Sequence, residues 1–171
     1  MKTLYLLRHA KSSWDDRSLA DRERPLNERG RQSAPKMGKR FRDRGESIDL
    51  ILTSPANRAA TTAELFADTC GYAADNIEIA EDLYFSGRGS IEALIRAQDD
   101  SVESLMLVFH NPDITSLANS LDYNLYIDNV PTAGLVCFSC GIGKWSDFDR
   151  DITRFEYFDY PKNASDDVQR F

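Results

Sequence analysis

The chain has 171 residues, 42% of them hydrophobic, which suffices for one domain with a sizeable core and is too short for two ordinary ones. With a mean hydropathy of −0.48 and no apolar stretch near the roughly 20 residues of a bilayer crossing, the sequence excludes a membrane-spanning segment. The formal net charge of −7 argues against general nucleic-acid binding.

In chain order, the apolar run over 3–8 predicts a first strand. Lys2 followed by Leu4–Leu7 has the look of a signal peptide, but the run is short and Arg8 ends it. A buried strand in a cytoplasmic protein is the expectation. Asn27 fits the N-cap of a helix over 28–44 whose core face is Ala34, Met37, Gly38 and Phe41, and Pro35 inside it predicts a kink or a later start. A strand over 49–53 leads to a helix over 55–69, with Ser54 at the N-cap, Pro55 at the first position and Ala59, Thr62, Leu65 and Phe66 buried. A strand over 76–79, a helix over 87–99 and a strand over 104–109 follow. Asn111 and Pro112 open a helix over 112–121, and strands over 134–140 and 152–158 close the chain. Alternating strands and helices predict an α/β fold: a single-domain three-layer αβα sandwich spanning 1–171. Its sheet should be mainly parallel, of about six strands with an antiparallel strand. The tail from about Pro161 is expected to be irregular.

Cys70, Cys137 and Cys140 make an odd count, so a disulfide framework is not expected. Cys137 and Cys140 have C-x-x-C spacing within a strand, where residues three apart point to opposite faces, and read as buried thiols. Asp147, Asp149 and Asp151 begin like a calcium loop, but Ile152 and Phe158 stand at its sixth and twelfth positions, so a polar hairpin is the better reading. No metal and no cofactor are expected.

Charge is unevenly spread: residues 1–58 carry 14 Lys and Arg against 8 Asp and Glu, the remainder 7 against 20. Much of the 36–44 stretch reads as solvated helix surface. The rest of the basic half includes Arg8 and Arg58. The two histidines, His9 and His110, each end a predicted strand, and Arg58 follows a third. Carboxyl ends of strands in an open α/β sheet face the ligand crevice. Arg8 precedes His9, and Lys11, Ser12 and Ser13 follow, supplying an ammonium, hydroxyls and turn amides. Arg58 falls in the first turn of a helix, itself an anion site; taken alone it reads as a surface residue paired with Glu64 or a nearby Asp. Together these residues suit a phosphoryl group.

RHAKSSW, RPLNERG (Arg24 to Gly30), SPANRA (Ser54 to Ala59) and FHNP (Phe109 to Pro112) resemble the histidine phosphatase superfamily, and PTAG at Pro131–Gly134 extends the match. RHA with RPLNERG is similar to its short SixA-type phosphohistidine phosphatases. The resemblance implies a phosphoglycerate-mutase-like fold and a metal-independent phosphatase. His9 would be the nucleophile, with Arg8, Arg58 and His110, the last as an imidazolium, around the phosphoryl oxygens. Ser12, Asp15, Arg24 and Thr132 are further candidates for substrate binding. Attack requires a neutral His9 whose other ring nitrogen donates to a carbonyl.

Two departures bear on the substrate. Many relatives carry a general acid after the third strand; here Glu81 or Asp82 is the nearest candidate in AEDLYFSG, displaced from the expected place at Leu83. Asp15 stands where sugar-phosphate relatives often have asparagine, and would repel a second phosphate. A weak proton donor favours a leaving group such as imidazole, whose conjugate acid has a pKa near 6.5. The expected partner is therefore phosphohistidine on a protein, and a short chain leaves little room for cap insertions. A small-molecule phosphomonoesterase and a non-catalytic phosphate-binding module are the alternatives.

Overall fold

A computed structural model describes residues 1–164, and the calls on 165–171 lie outside the described residues. β1 (Lys2–Arg8), β2 (Leu50–Thr53), β3 (Glu78–Ile79), β4 (Ser104–Phe109), β5 (Leu135–Cys140) and β6 (Thr153–Asp159) form one sheet in the order β3-β2-β4-β1-β5-β6. β1 pairs with β4 in parallel, as β2 does with β3 and β4; β5 runs antiparallel to both its neighbours. One reversed strand in a mixed six-stranded sheet matches the expectation. Leu4–Leu7 of β1 and Leu105–Phe109 of β4 are continuously apolar and buried because both faces of the sheet are covered there.

Helices α1 (Glu28–Asp43) and α2 (Asn57–Cys70) cover one face over Tyr5, Leu7, Met106 and Val108. Helices α3 (Arg88–Arg96) and α4 (Asp113–Leu121) cover the other over Leu4, Leu6, Leu105 and Leu107. Cys137 and Cys140 fall in opposite core layers, as buried thiols should. Asn27 caps α1, its side chain accepting from the Gly30 amide at 2.9 Å. The helix neither starts late at Pro35 nor ends there. Its packing on α2 outweighs the local penalty: a Cβ on Gly38 would overlap Thr69 Oγ1, and Thr69 Oγ1 donates to the Pro35 carbonyl at 3.0 Å.

The basic stretch 36–44 is not all solvated surface. Arg40 and Arg44 reach the fully buried Asp159 at 3.0 and 2.9 Å and tie α1 to the end of β6. α2 and α4 begin at Asn57 and Asp113, later than expected, with Ala56 and Pro112 at their N-caps. Ser54 Oγ lies between His110 Nε2 and the Ala56 amide, and Asn111 Oδ1 accepts from the Thr115 amide and hydroxyl in the first turn of α4. Within α2, Ala63 and Ala67 are buried while Leu65 is half-buried. Among the described residues no helix is long and apolar enough to cross a membrane.

Candidate active site

Strand register assembles the site. Arg8 lies opposite Phe109 in the β1–β4 ladder, so the next residues, His9 and His110, emerge side by side with ring centroids 5.2 Å apart. On the other edge of β4, Thr53 lies opposite Val108, which brings Ser54 alongside; its Oγ is 2.7 Å from His110 Nε2. Across β1, the Ala133 amide donates to the His9 carbonyl, and the chain just before it places Thr132 at the rim. The resulting cleft of about 270 Å³ is lined by Arg8, His9, Lys11, Ser12, Trp14, Asp21, Arg24, Arg58, Phe85, His110, Asn111 and Thr132.

Each guanidinium is held from behind. Arg8 Nη1 donates to the Val130 carbonyl at 2.9 Å. Arg58 is 2% exposed and donates to the Asp21 carbonyl at 2.8 Å and to Asp21 Oδ2 at 3.0 Å; it is therefore buried and not on the surface, and of Glu64 and the aspartates its partner is Asp21. Arg24 donates to Ser12 Oγ at 3.0 Å and Asp21 Oδ1 at 3.3 Å, and stacks 3.5 Å over the Trp14 ring. Three buried side-chain nitrogens in the described residues have no partner: Arg8 Nε, Arg58 Nε and His110 Nδ1. All three belong to residues of this cleft.

The RPLNERG segment shapes the loop after β1. Ser13 donates to the Pro25 carbonyl and Asn27 to the Lys11 carbonyl, at 2.8 and 3.0 Å. Only a glycine fits at position 30, because a Cβ there would overlap the Lys11 carbonyl.

His9 Nδ1 is 2.7 Å from the Ala10 carbonyl. A carbonyl only accepts, so Nδ1 carries the proton and Nε2 keeps its lone pair. Burial, with Arg58, Arg8 and Arg24 nearby, pushes the His9 pKa down to about 3 against the pull of that bond. Burial first, then His9 and Arg58, lowers His110 to about 3 as well. His110 is thus a neutral imidazole in the ligand-free protein, and not the imidazolium expected.

The candidate acids do not enter the cleft. Glu81 is exposed and paired with Arg22 at 2.9 Å, Asp82 is exposed, and neither is among the lining residues. Asp15 is exposed on a turn outside the lining, its amide donating to Ser13 Oγ at 3.1 Å, so it offers no direct repulsion to a second phosphate there. Ser12, Arg24 and Thr132 do line it. Asp21, which sequence reasoning missed, is the carboxylate in the lining. Burial alone would raise its pKa, but the Tyr84 hydroxyl and Arg58 outweigh that and hold it at about 2, so it is an anion at neutral pH. Its spacing three residues before Arg24 was the available signal. Phe85 was missed too; it stacks on His110 with centroids 4.7 Å apart. Among the described residues no group of three His, Cys, Asp or Glu is arranged to hold a metal ion.

The model of the histidine phosphatase superfamily (branch 1) matches residues 4–111, a span that holds Arg8, His9, Arg24, Arg58 and His110 of the cleft. The chain belongs to the histidine phosphatase superfamily. A Mycobacterium tuberculosis relative is 30% identical over 166 residues, covering 91% of this chain and all of that protein. An Arabidopsis thaliana chloroplastic relative is 32% identical over 117 residues, 68% of this chain; the match spans 51% of that longer protein. Among solved structures, the protein histidine phosphatase SixA complexed with tungstate aligns with a TM-score of 0.80 at 20% identity, covering 93% of this chain and 97% of that one. The Agrobacterium tumefaciens protein assigned as phosphohistidine phosphatase SixA gives 0.77 at 29% identity, covering 94% and 98%. A mycobacterial glucosyl-3-phosphoglycerate phosphatase of this fold gives 0.62 at 15%, covering 94% and 98%. The superfamily fold is thus common to structures named for protein and for small-molecule substrates.

Proposed function

We propose that the chain is a metal-independent phosphatase that transfers a phosphoryl group to His9 Nε2 and then to water, with phosphohistidine on a protein as substrate. One observation carries this reading: the three buried, unpartnered nitrogens of Arg8, Arg58 and His110 share a cleft with an imidazole whose free nitrogen is a nucleophile. Phosphoryl transfer needs an in-line nucleophile and positive donors around the equatorial oxygens, and little else. His9 attacks phosphorus as the bond to the leaving nitrogen breaks, and the leaving imidazole takes its proton from solvent. Water then cleaves the P–Nε2 bond, releases inorganic phosphate and restores neutral His9. For His110 to donate from Nδ1, its Nε2 accepts from the Ser54 hydroxyl, which makes Ser54 a positioning residue.

The substrate class rests on the acid and on the opening. The carboxylate in the lining, Asp21, is ionised and engaged by both arginines, so a leaving group with a low proton affinity is favoured. The connection from β3 to α3 is short, and Trp14 and Phe85 stand 70% and 48% exposed at the mouth, which leaves the cleft open to a protein surface. A likeness to the SixA structures points the same way.

The test is turnover of an aryl phosphate, a phosphohistidine protein and a sugar-phosphate panel after exhaustive chelation, with acid- and base-quenched labelling. Label should survive base and not acid, and His9→Ala should retain less than about 1% of the rate. Failure on aryl phosphate would leave a non-catalytic phosphate-binding module. Preference for sugar phosphates would give the small-molecule phosphomonoesterase reading.

A further inference from the structure

We infer that a cationic groove beside the cleft docks an acidic segment flanking the phosphorylated residue of a protein substrate, a reading that rests on the proposed phosphatase function. The groove has a volume of about 450 Å³ and shares Lys11 and Thr132 with the cleft, so a chain with its phosphoryl group at His9 continues directly into it. Arg29 and Lys36, seven residues apart on one face of α1, form one wall, and Lys162 lies opposite. Lys36 is anchored by its bond to the Pro161 carbonyl at 2.6 Å, which ties the two walls together.

Four cations line this groove, and no carboxylate among the described residues does, in a chain whose net charge is −7. Arg29, Lys36, Lys162 and Lys11 are all exposed, so their charge faces incoming partners and is screened by salt. A single second phosphate would engage one or two of them; a run of Asp and Glu side chains engages all four along the groove. Pro131 adds an apolar surface that suits a polypeptide. The acidic remainder of the protein repels the same partner elsewhere, which focuses its approach on this face.

The experiment compares two phosphohistidine peptides, one with Asp and Glu beside the phosphohistidine and one with Asn and Gln, on wild type and on the Arg29→Glu/Lys162→Glu variant. Wild type should show a KM about tenfold lower for the acidic peptide, the sum of several exposed ion pairs. The variant should lose that preference at unchanged kcat and keep its aryl phosphate turnover. An unchanged preference in the variant overturns the proposal. So does a KM raised equally for both peptides, or a groove preference that appears only with a sugar bisphosphate. If the variant loses aryl phosphate turnover, wild type decides: a peptide KM ratio that stays constant from low to high salt overturns the proposal. Intact aryl phosphate turnover with neither peptide hydrolysed defeats the phosphohistidine reading itself, whereas hydrolysis of both at equal KM defeats the groove alone.

Discussion

Asp21 holds Arg58 at two points, through its backbone carbonyl at 2.8 Å and its carboxylate at 3.0 Å, while the same carboxylate takes Arg24 at 3.3 Å. Neither arginine is free to swing, so the positive charge facing the cleft is fixed before a phosphoryl group arrives. Asp21→Asn keeps the shape and the carbonyl contact but removes the charge. A hydrogen bond to a charged group contributes about 1.5–3 kcal/mol, so kcat/KM on aryl phosphate should fall about 10- to 100-fold. Steady-state kinetics checks this; an unchanged rate would show that Arg58 is placed by the fold alone.

Glu81→Gln and Asp82→Asn should leave phosphohistidine hydrolysis unchanged within about twofold, since both side chains are exposed and outside the cleft. General acid catalysis contributes about 10²–10⁴-fold, so a working proton donor among them could not be overlooked. A hundredfold loss on an alkyl phosphate in either variant would move the acid into this loop.

Gly30→Ala tests the clamp on the loop after β1. Its added Cβ has no space beside the Lys11 carbonyl, and overpacking of this kind costs about 1–3 kcal/mol. Urea unfolding should show the loss, with a raised KM because Lys11 and Ser12 move at the cleft. Wild-type values for both would mean that the loop gives way without consequence.

Stability should fall on acidification well before the carboxylates titrate. His9 and His110 have folded pKa values near 3 against about 6.5 when unfolded. The unfolded chain therefore binds more protons between those values, and stability present above pH 6.5 is lost as pH falls toward 3. At pH 5 the loss is about 2 kcal/mol for each histidine. Asp21, held near 2, adds its loss only below the ordinary carboxylate range, near pH 4. Urea midpoints at pH 7.5 and 5 should differ more for wild type than for a His9→Gln/His110→Gln variant; equal differences would show that the imidazoles are not held neutral.

The local signals were legible wherever chemistry and chain neighbourhood coincide. Apolar runs located β1 and β4, and Asn27 marked the start of α1. Arg8, His9, Arg58 and His110 could be picked out because strand ends in an α/β sheet point one way. Caps misled at Ser54 and Asn111. The helices begin at Asn57 and Asp113, although Ser54 Oγ still accepts from the Ala56 amide beside its bond to His110, and Asn111 Oδ1 still accepts from the Thr115 amide of α4.

By itself, then, the sequence determined the order of strands and helices, the covered faces and which of its arginines and histidines stand at strand ends or the turns after them, because each follows from periodicity or from position along the chain. The tertiary structure alone decided that β1 lies between β4 and β5, which sets His9 beside His110. It also decided that Asp21, 37 residues before Arg58 in the chain, closes on its guanidinium, and that Arg40 and Arg44 serve a buried Asp159. These pairings join residues far apart in sequence. Their energy comes from burial and exclusion of water, which no local pattern in the chain records.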